Sequence, residues 1–250
     1  MTELDIPKYN TFFEDYRSLE SKFWDKKWEV ERGIFNEFQV RFQDYEIEAK
    51  ELYASETPDF NIFSILRLGR YEERLHTPFL RYLLDPTESH GQGYFFLLSF
   101  LSEMLKVNLD RSEISHLSIE EEFRNDNGRM DLLIRYSHKS ESKAIVIENK
   151  IYAKDQPDQL QKYKRYLTVA RGYDADNILL VYLTPWGTNP SENSMVEIER
   201  DALKLSGNLT LLSYRKNIQS WLTNSLATDN IKSEKLKHII SQYIKTISVL

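Results

Sequence analysis

The sequence predicts an α/β domain built on a mixed β-sheet, with a helical extension before it. Three observations predict this class: helical apolar spacing over residues 8–56, three closely spaced β-type segments from residue 116, and alternating helix and strand patterns after residue 156. Helices on both sides of a group of strands are typical of a sheet covered by helices. We therefore expect an N-terminal helical extension at 1–56 and a second domain at 57–250, ending in C-terminal helices.

The extension is rich in aromatic residues at helical spacing. Phe12 and Tyr16, like Trp24 and Trp28, lie four positions apart, which places each pair on one helix face. Gly33 is interpreted as the break between two helices of a hairpin. The stripe predicts packing against the domain or a second subunit, so a homodimer or a partner protein is expected; a base-stacking surface is the less favoured alternative.

Turn-rich loops separate the first three predicted strands, which implies an antiparallel meander. A helix, two further strands and two C-terminal helices then follow. The predicted strands cover residues 116–124, 130–136, 143–149, 178–183 and 209–212, and the predicted helices after the meander cover about 156–171, 214–226 and 231–247.

Composition excludes several classes of protein. The chain has 250 residues, 41% of them hydrophobic, which is enough for a sizeable core. Cysteine is absent, so disulfides and thiolate metal sites are excluded. No apolar run approaches the 18 residues of a membrane span, and the N-terminus lacks signal-peptide features, so a cytoplasmic protein is expected.

Charge argues against broad electrostatic attachment to nucleic acid, because the formal net charge is −6. A local exception lies between residues 150 and 171, where six basic side chains face only two acidic ones. This segment predicts either a phosphate-tracking surface or a solvated helix face, and the charges alone favour the solvated face.

The strongest chemical signal is a run of β-formers that ends in Glu148 and Lys150. Side chains alternate along a strand, so the two share one face. A carboxylate there can hold Mg²⁺, while the lysine stabilises an attacking water or the charge that develops on phosphorus. The alternative is a salt bridge at the end of the strand. Without further residues, Glu148 and Lys150 favour this alternative. Asp131 lies 17 positions before Glu148, enough for a tight hairpin to bring both acids to one sheet edge.

Two further elements complete a recognisable set. Glu73 lies on a helix before the sheet, and Gln159 and Tyr163 lie four apart on the helix after it. With Asp131 and the Glu-Asn-Lys strand end, they resemble the PD-(D/E)xK nuclease superfamily, and the Gln159–Tyr163 pattern is similar to its recombination-exonuclease branch. Motifs between about residues 60 and 185, including Leu-Leu-Asp-Pro and Ile-Glu-Asn-Lys-Ile, resemble a bacterial and phage family within it.

The resemblance implies a restriction-endonuclease-like core and assigns roles to individual residues. Asp131, Glu148 and Glu73 would hold Mg²⁺ or Mn²⁺, Lys150 would assist the nucleophile, and Gln159 would position phosphate or the metal shell. These five residues form the predicted catalytic set. The predicted substrate-binding residues are Tyr163, His76, Gln156 and Lys154. For His76, a metal ligand or proton shuttle and a hydrogen-bonded structural histidine are equally good interpretations.

The predicted function is a Mg²⁺- or Mn²⁺-dependent nuclease that cuts phosphodiester bonds, in DNA rather than RNA, with phage defence or DNA repair as its setting by analogy. Two alternatives stay open. One is a non-catalytic binding module with the nuclease fold, which the acidic net charge favours; the other is a nuclease directed at RNA.

Overall fold

The computed structural model describes residues 6–57, 60–125 and 128–250. By its internal contacts the chain divides into two units, Met1–Phe60 and Asn61–Leu250. The centre of the predicted loop between the first two strands, at residues 126–127, lies outside the described residues. So do residues 58–59, although the sequence also predicts that a short helix begins at Pro58 and continues through Leu68.

The first unit contains one uninterrupted helix, α1 (Ile6–Glu56), of 51 residues. At 1.5 Å per residue it is about 75 Å long. The predicted hairpin is wrong, since the helix runs straight through Gly33. One glycine inside a helix costs only about 1 kcal/mol relative to alanine, and the good helix formers on either side outweigh that cost.

The second unit is built on a five-stranded sheet in the order β1-β2-β3-β4-β5. The first three strands pair antiparallel, and β3, β4 and β5 are parallel. The predicted mixed sheet with an antiparallel meander is confirmed. The strands are β1 (Ser115–Asn125), β2 (Gly128–His138), β3 (Glu141–Asn149), β4 (Ile178–Thr184) and β5 (Leu209–Ser213).

A two-residue turn joins β2 to β3 and sets their register. His138 pairs with Glu141, and the turn residues Lys139 and Ser140 have φ values of +51° and +67°. Positive φ at both positions is the signature of a type I′ turn, whose twist matches that of the strands it connects. The turn therefore fixes which residues of β2 and β3 lie opposite one another.

Helices cover both faces of this sheet. On one face α3, α4, α7 and α8 contribute to the larger apolar core, which includes Phe100, Trp221 and Tyr243. On the other face, Leu160 of α5 and Leu167 of the π-helical turn that follows it pack against the sheet. The helices are α2 (Ile62–Ile65), α3 (Thr77–Leu84), α4 (Phe95–Leu105), α5 (Gln159–Arg165), α6 (Glu197–Leu205), α7 (Gln219–Ala227) and α8 (Glu234–Ile247).

Three helices are extended by π-helical turns: Glu72–His76 before α3, Tyr166–Ala170 after α5 and Tyr214–Ile218 before α7. The first of these turns carries two adjacent acidic residues, Glu72 and Glu73. Across the described parts of the chain, every helix is too short or too polar to cross a membrane.

Candidate active site

Two acidic side chains meet where β2 begins and β3 ends. Leu132 pairs with Ile147, so the antiparallel register brings Asp131 and Glu148 side by side. The backbone N–H of Asn149 donates a hydrogen bond to Asp131 Oδ2 over 2.8 Å. Glu148 is fully buried, whereas Asp131 is partly exposed. The hairpin alone therefore builds the pair of carboxylates predicted from the sequence.

Lys150 adds a cation to this pair. Its Nζ lies 2.6 Å from Glu148 Oε1, and its side chain is only 11% exposed. Its backbone N–H donates to the carbonyl of Leu183 over 2.8 Å, which keeps the chain beside β4 just past the end of β3. The strand-end salt bridge considered above is thus present, and it lies beside a second carboxylate rather than alone.

Two side chains of α5 form hydrogen bonds with the strands of the site. Gln159 binds Glu148 of β3, and Tyr163 binds the backbone of β2. Gln159 Nε2 donates to Glu148 Oε1 over 2.7 Å and to the Tyr163 hydroxyl over 2.8 Å. The Tyr163 hydroxyl donates in turn to the carbonyl of Arg129. Gln159 and Tyr163 are both buried. Tyr163 therefore positions the strand that carries Asp131. The prediction that Tyr163 lines a substrate groove is not supported, because its side chain is buried.

The structure turns Glu72, rather than the predicted Glu73, toward the site. Glu72 Oε1 accepts backbone hydrogen bonds from residues 151–153, just after Lys150, including one of 3.0 Å from Tyr152. Its charge also acts on Asp131 and Lys150. Glu73 is half-exposed and pairs with Arg129, which also lies 3.6 Å from Glu122. A π-helical turn changes the angle between successive side chains, and neither acid has a sequence signal that marks it.

His76 is a structural residue, so its predicted contact with substrate is wrong. It is 0% exposed. Nδ1 lies 2.9 Å from the Tyr243 hydroxyl, and Nε2 lies 3.0 Å from the carbonyl of Gly69. With both ring nitrogens engaged, the imidazole joins α8 to the loop before Glu72.

Gln156 and Lys154 lie in the exposed loop between β3 and α5. The backbone N–H of Gln156 donates to Gln159 Oε1 over 3.3 Å, while its side chain faces solvent. Lys154 forms no ion pair with the residues that the structure describes. Both side chains are therefore accessible beside the site, and their contact with substrate stays a prediction.

The arrangement of these residues has a counterpart among known protein families. The family model of the PD-(D/E)XK nuclease superfamily matches residues 60–245, most of the second unit. The chain belongs to the PD-(D/E)XK nuclease superfamily. Comparisons with curated proteins and with solved structures return no match.

Within this superfamily member, burial shifts the protonation of the site carboxyls. Burial, and next the neighbouring Asp131 charge, raise the pKa of Glu148 to about 8, against the opposing effect of Lys150. Burial also raises the pKa of Asp131. Burial lowers the pKa of Lys150, but Glu148 and Asp131 outweigh it, so the pKa ends above its usual value. Lys150 is accordingly a cation at neutral pH.

The donor set suits a hard divalent cation that keeps part of its water shell. Glu148 Oε2 is buried and has no hydrogen-bond partner, although its sister oxygen is bonded to Gln159 and Lys150. In the described residues no three His, Cys, Asp or Glu side chains form a metal-binding group, so the predicted triad of Glu73, Asp131 and Glu148 is not assembled. Mg²⁺ is commonly held by one or two carboxylates together with water and substrate phosphate. Asp131 and Glu148 can supply the two carboxylates.

Replacement of Tyr163 by phenylalanine should destabilise the protein by about 1–3 kcal/mol. The variant leaves a buried Gln159 N–H without its acceptor, and an unpaired buried polar group carries a cost of this size. Urea denaturation measures the difference. Tyr166→Phe is the matched control, since no hydrogen bond joins the Tyr166 hydroxyl to a described residue, and its stability should stay within about 0.5 kcal/mol of wild type. Equal effects of the two substitutions would contradict the role given to Tyr163.

Burial of His76 predicts a loss of stability in mild acid. Desolvation lowers the pKa of His76 to about 4 from 6.5. Below pH 6.5 the unfolded chain takes up this proton and the folded protein does not, so the free energy of unfolding falls until about pH 4. Between pH 7 and pH 5 the loss is about 2 kcal/mol. Urea denaturation at both pH values should show a smaller loss in His76→Asn; an equal loss would mean that His76 protonates freely in the folded state.

Proposed function

We propose that this chain is a divalent-metal-dependent nuclease that hydrolyses phosphodiester bonds in DNA. The observation that supports it best is the pairing of Asp131 with Glu148 beside Lys150, with one Glu148 oxygen buried and unpartnered, in a member of a nuclease superfamily. All the acidic and basic side chains that such a reaction needs are present, which favours catalysis over a non-catalytic scaffold.

Each side chain has a defined task in this proposal. Asp131 and Glu148 hold Mg²⁺ or Mn²⁺, which when bound polarises the phosphate and lowers the pKa of water. Lys150 stays protonated and stabilises negative charge on the attacking or phosphoryl oxygen. Gln159 fixes the orientation of Glu148 by its 2.7 Å hydrogen bond. We assign the role of the helical acid to Glu72, which organises the loop that follows Lys150.

The charge distribution is compatible with a nucleic-acid substrate. Residues 57–250 contain 25 basic and 25 acidic side chains, so the net charge of −6 comes from residues 1–56. The acidity of the whole chain, which favoured a non-catalytic module, therefore does not belong to the nuclease domain. A role in phage defence or DNA repair stays a prediction from resemblance.

Cleavage assays test the proposal directly. Wild type should cut plasmid or linear DNA with Mg²⁺ or Mn²⁺ and not with EDTA, whereas Glu148→Gln and Lys150→Met should each lose at least about 100-fold in rate, since each removes a preorganised charge. Glu141→Gln is the matched control, because Glu141 begins the same strand, pairs with Lys143 and has an exposed side chain. RNA and single-stranded DNA run in parallel identify the substrate class.

Two further variants in the same assay separate the neighbouring helical acids. Glu72→Gln should lower the rate more than Glu73→Gln, because only Glu72 contacts the loop behind Lys150. Full activity of Glu148→Gln would refute the nuclease mechanism. Binding of Mn²⁺ and DNA by wild type with no cleavage of any substrate would instead support the non-catalytic alternative.

We further propose that α1 pairs with α1 of a second copy of this chain. Apolar side chains recur every 11 residues at Phe12, Phe23, Ile34 and Tyr45, and each is more than half exposed. An 11-residue repeat corresponds to 3.67 residues per turn and favours a right-handed supercoil of paired helices.

Sedimentation velocity should find a dimer of the wild type and a monomer of the Phe23→Ser, Ile34→Ser double variant, because polar side chains remove the apolar seam. Val40 and Ile47 lie on the opposite face of the helix and are equally exposed. The Val40→Ser, Ile47→Ser control should stay dimeric. A monomeric wild type at micromolar concentration would refute self-association through α1.

A further inference from the structure

A cavity of about 500 Å³ lies directly beside the candidate active site. Tyr152, two residues after Lys150, lines one side, and Tyr71, which immediately precedes Glu72, lines another. The rest of the wall comes from α2 at Phe63 and Ser64, from the loop at residues 67–70 and from the C-terminal residues between Thr246 and Leu250. Its position beside Lys150 and Glu72 would allow a nucleotide next to the scissile phosphate to enter it.

Two arginines contribute positive charge to the wall of the cavity. Arg67 and Arg70 both line it and are exposed, and neither forms an ion pair with any described residue. Arg74, one turn further along, lies 5.0 Å from the ring centroid of Tyr71. Arg67 and Arg70 are therefore available to bind phosphate, for which the planar guanidinium is well suited.

Two aromatic rings border the same space. Tyr71 is 47% exposed and Tyr152 is 62% exposed. Both are planar rings with accessible surface, and a nucleobase is a planar group that can stack on such a ring. Because a base inside a duplex already stacks on its neighbours, only an unpaired base can use these rings.

Hydrogen bonds fix the walls of the cavity in place. The Glu72 carboxylate accepts the backbone N–H of Tyr152 over 3.0 Å, which holds this residue next to Tyr71. On the other side, His76 Nε2 lies 3.0 Å from the carbonyl of Gly69, between the two arginines. A Cβ at Gly69 would come within 3.2 Å of the Thr246 side chain, so this loop packs closely on α8. The backbone that carries Tyr152 and the two arginines is therefore fixed by contacts with Glu72, His76 and α8.

We propose that this cavity binds one unpaired nucleotide of the substrate, adjacent to the scissile phosphate. Arg67 and Arg70 bind its phosphate, and Tyr71 and Tyr152 stack on its base. This inference rests on the proposed nuclease function and adds a substrate class to it: single-stranded nucleic acid, or duplex whose end is open.

Binding measured without catalysis tests the inference. The probe is a fluorescein-labelled 20-nucleotide oligo(dT) in EDTA, followed by fluorescence anisotropy. Tyr71→Ala with Tyr152→Ala should weaken binding about 5- to 100-fold, the usual effect of removing one stacked base, while the two phenylalanine substitutions should bind like wild type. A duplex closed by hairpins at both ends should bind the wild type and the double alanine variant equally.

The arginines have their own readout, the salt dependence of binding. Loss of the contact with this one phosphate should reduce the slope of log K against log salt concentration by about 0.7. Arg67→Ala with Arg70→Ala should show this change. Lys235→Ala is the control, because Lys235 is exposed near the start of α8, does not line the cavity and forms no ion pair with a described residue.

Three results would overturn the inference: no binding of oligo(dT) by wild type, equal binding by the double tyrosine variant, or an unchanged salt slope in the double arginine variant. Failure of the nuclease proposal looks different, because it removes cleavage by wild type and leaves binding in EDTA unaffected. Circular dichroism melting of each variant excludes unfolding as the cause of a weaker complex.

Discussion

The structure depends on keeping one carboxylate, that of Glu148, out of water at the end of a central strand. A buried carboxylate is stable only when other groups compensate it, and the cost of leaving it alone is several kcal/mol. Here Lys150 and Gln159 share one oxygen at 2.6 Å and 2.7 Å, and the other oxygen has no partner. The fold thus binds Oε1 of Glu148 and leaves Oε2 able to bind a ligand.

Elements from both faces of the sheet are needed to hold this arrangement. From one face α5 supplies Gln159 and Tyr163; from the other, the π-helical turn before α3 supplies Glu72. Each contact reaches either a site side chain or the backbone next to one. A site built in this way is preorganised, because its charged groups are oriented before any ligand arrives.

The sequence was informative where local periodicity decides structure. The run that ends in Glu148, its distance from Asp131 and the spacing of Gln159 and Tyr163 predicted groups that the structure brings together. The predictions for Glu73 and His76 failed because tertiary contacts, which spacing does not reveal, decide where these side chains lie. Glu72 rather than the adjacent Glu73 contacts the loop after Lys150, and packing against α8 makes His76 a structural residue.

Other features were missed for different reasons. The cost of Gly33 in a helix was too small to break α1, so the hairpin interpretation failed. Helix α6 was not predicted, although its apolar and polar residues do segregate. The cavity beside Tyr152 depends on a loop that is anchored to α8, more than 170 positions later in the sequence. Contacts across such distances cannot be read from spacing.

The turn between β2 and β3 has an importance that its surface position hides. Lys139 and Ser140 lie about 25 Å along the strands from Asp131 and take no part in chemistry. Yet their conformation determines that Asp131 faces Glu148. A shift of one residue in this pairing would carry the carboxylates about 3.3 Å apart along the strands and turn one of them to the opposite face of the sheet. The length of this turn is therefore under the same constraint as the active site, so insertions and deletions there should be as poorly tolerated as substitutions of the acids themselves.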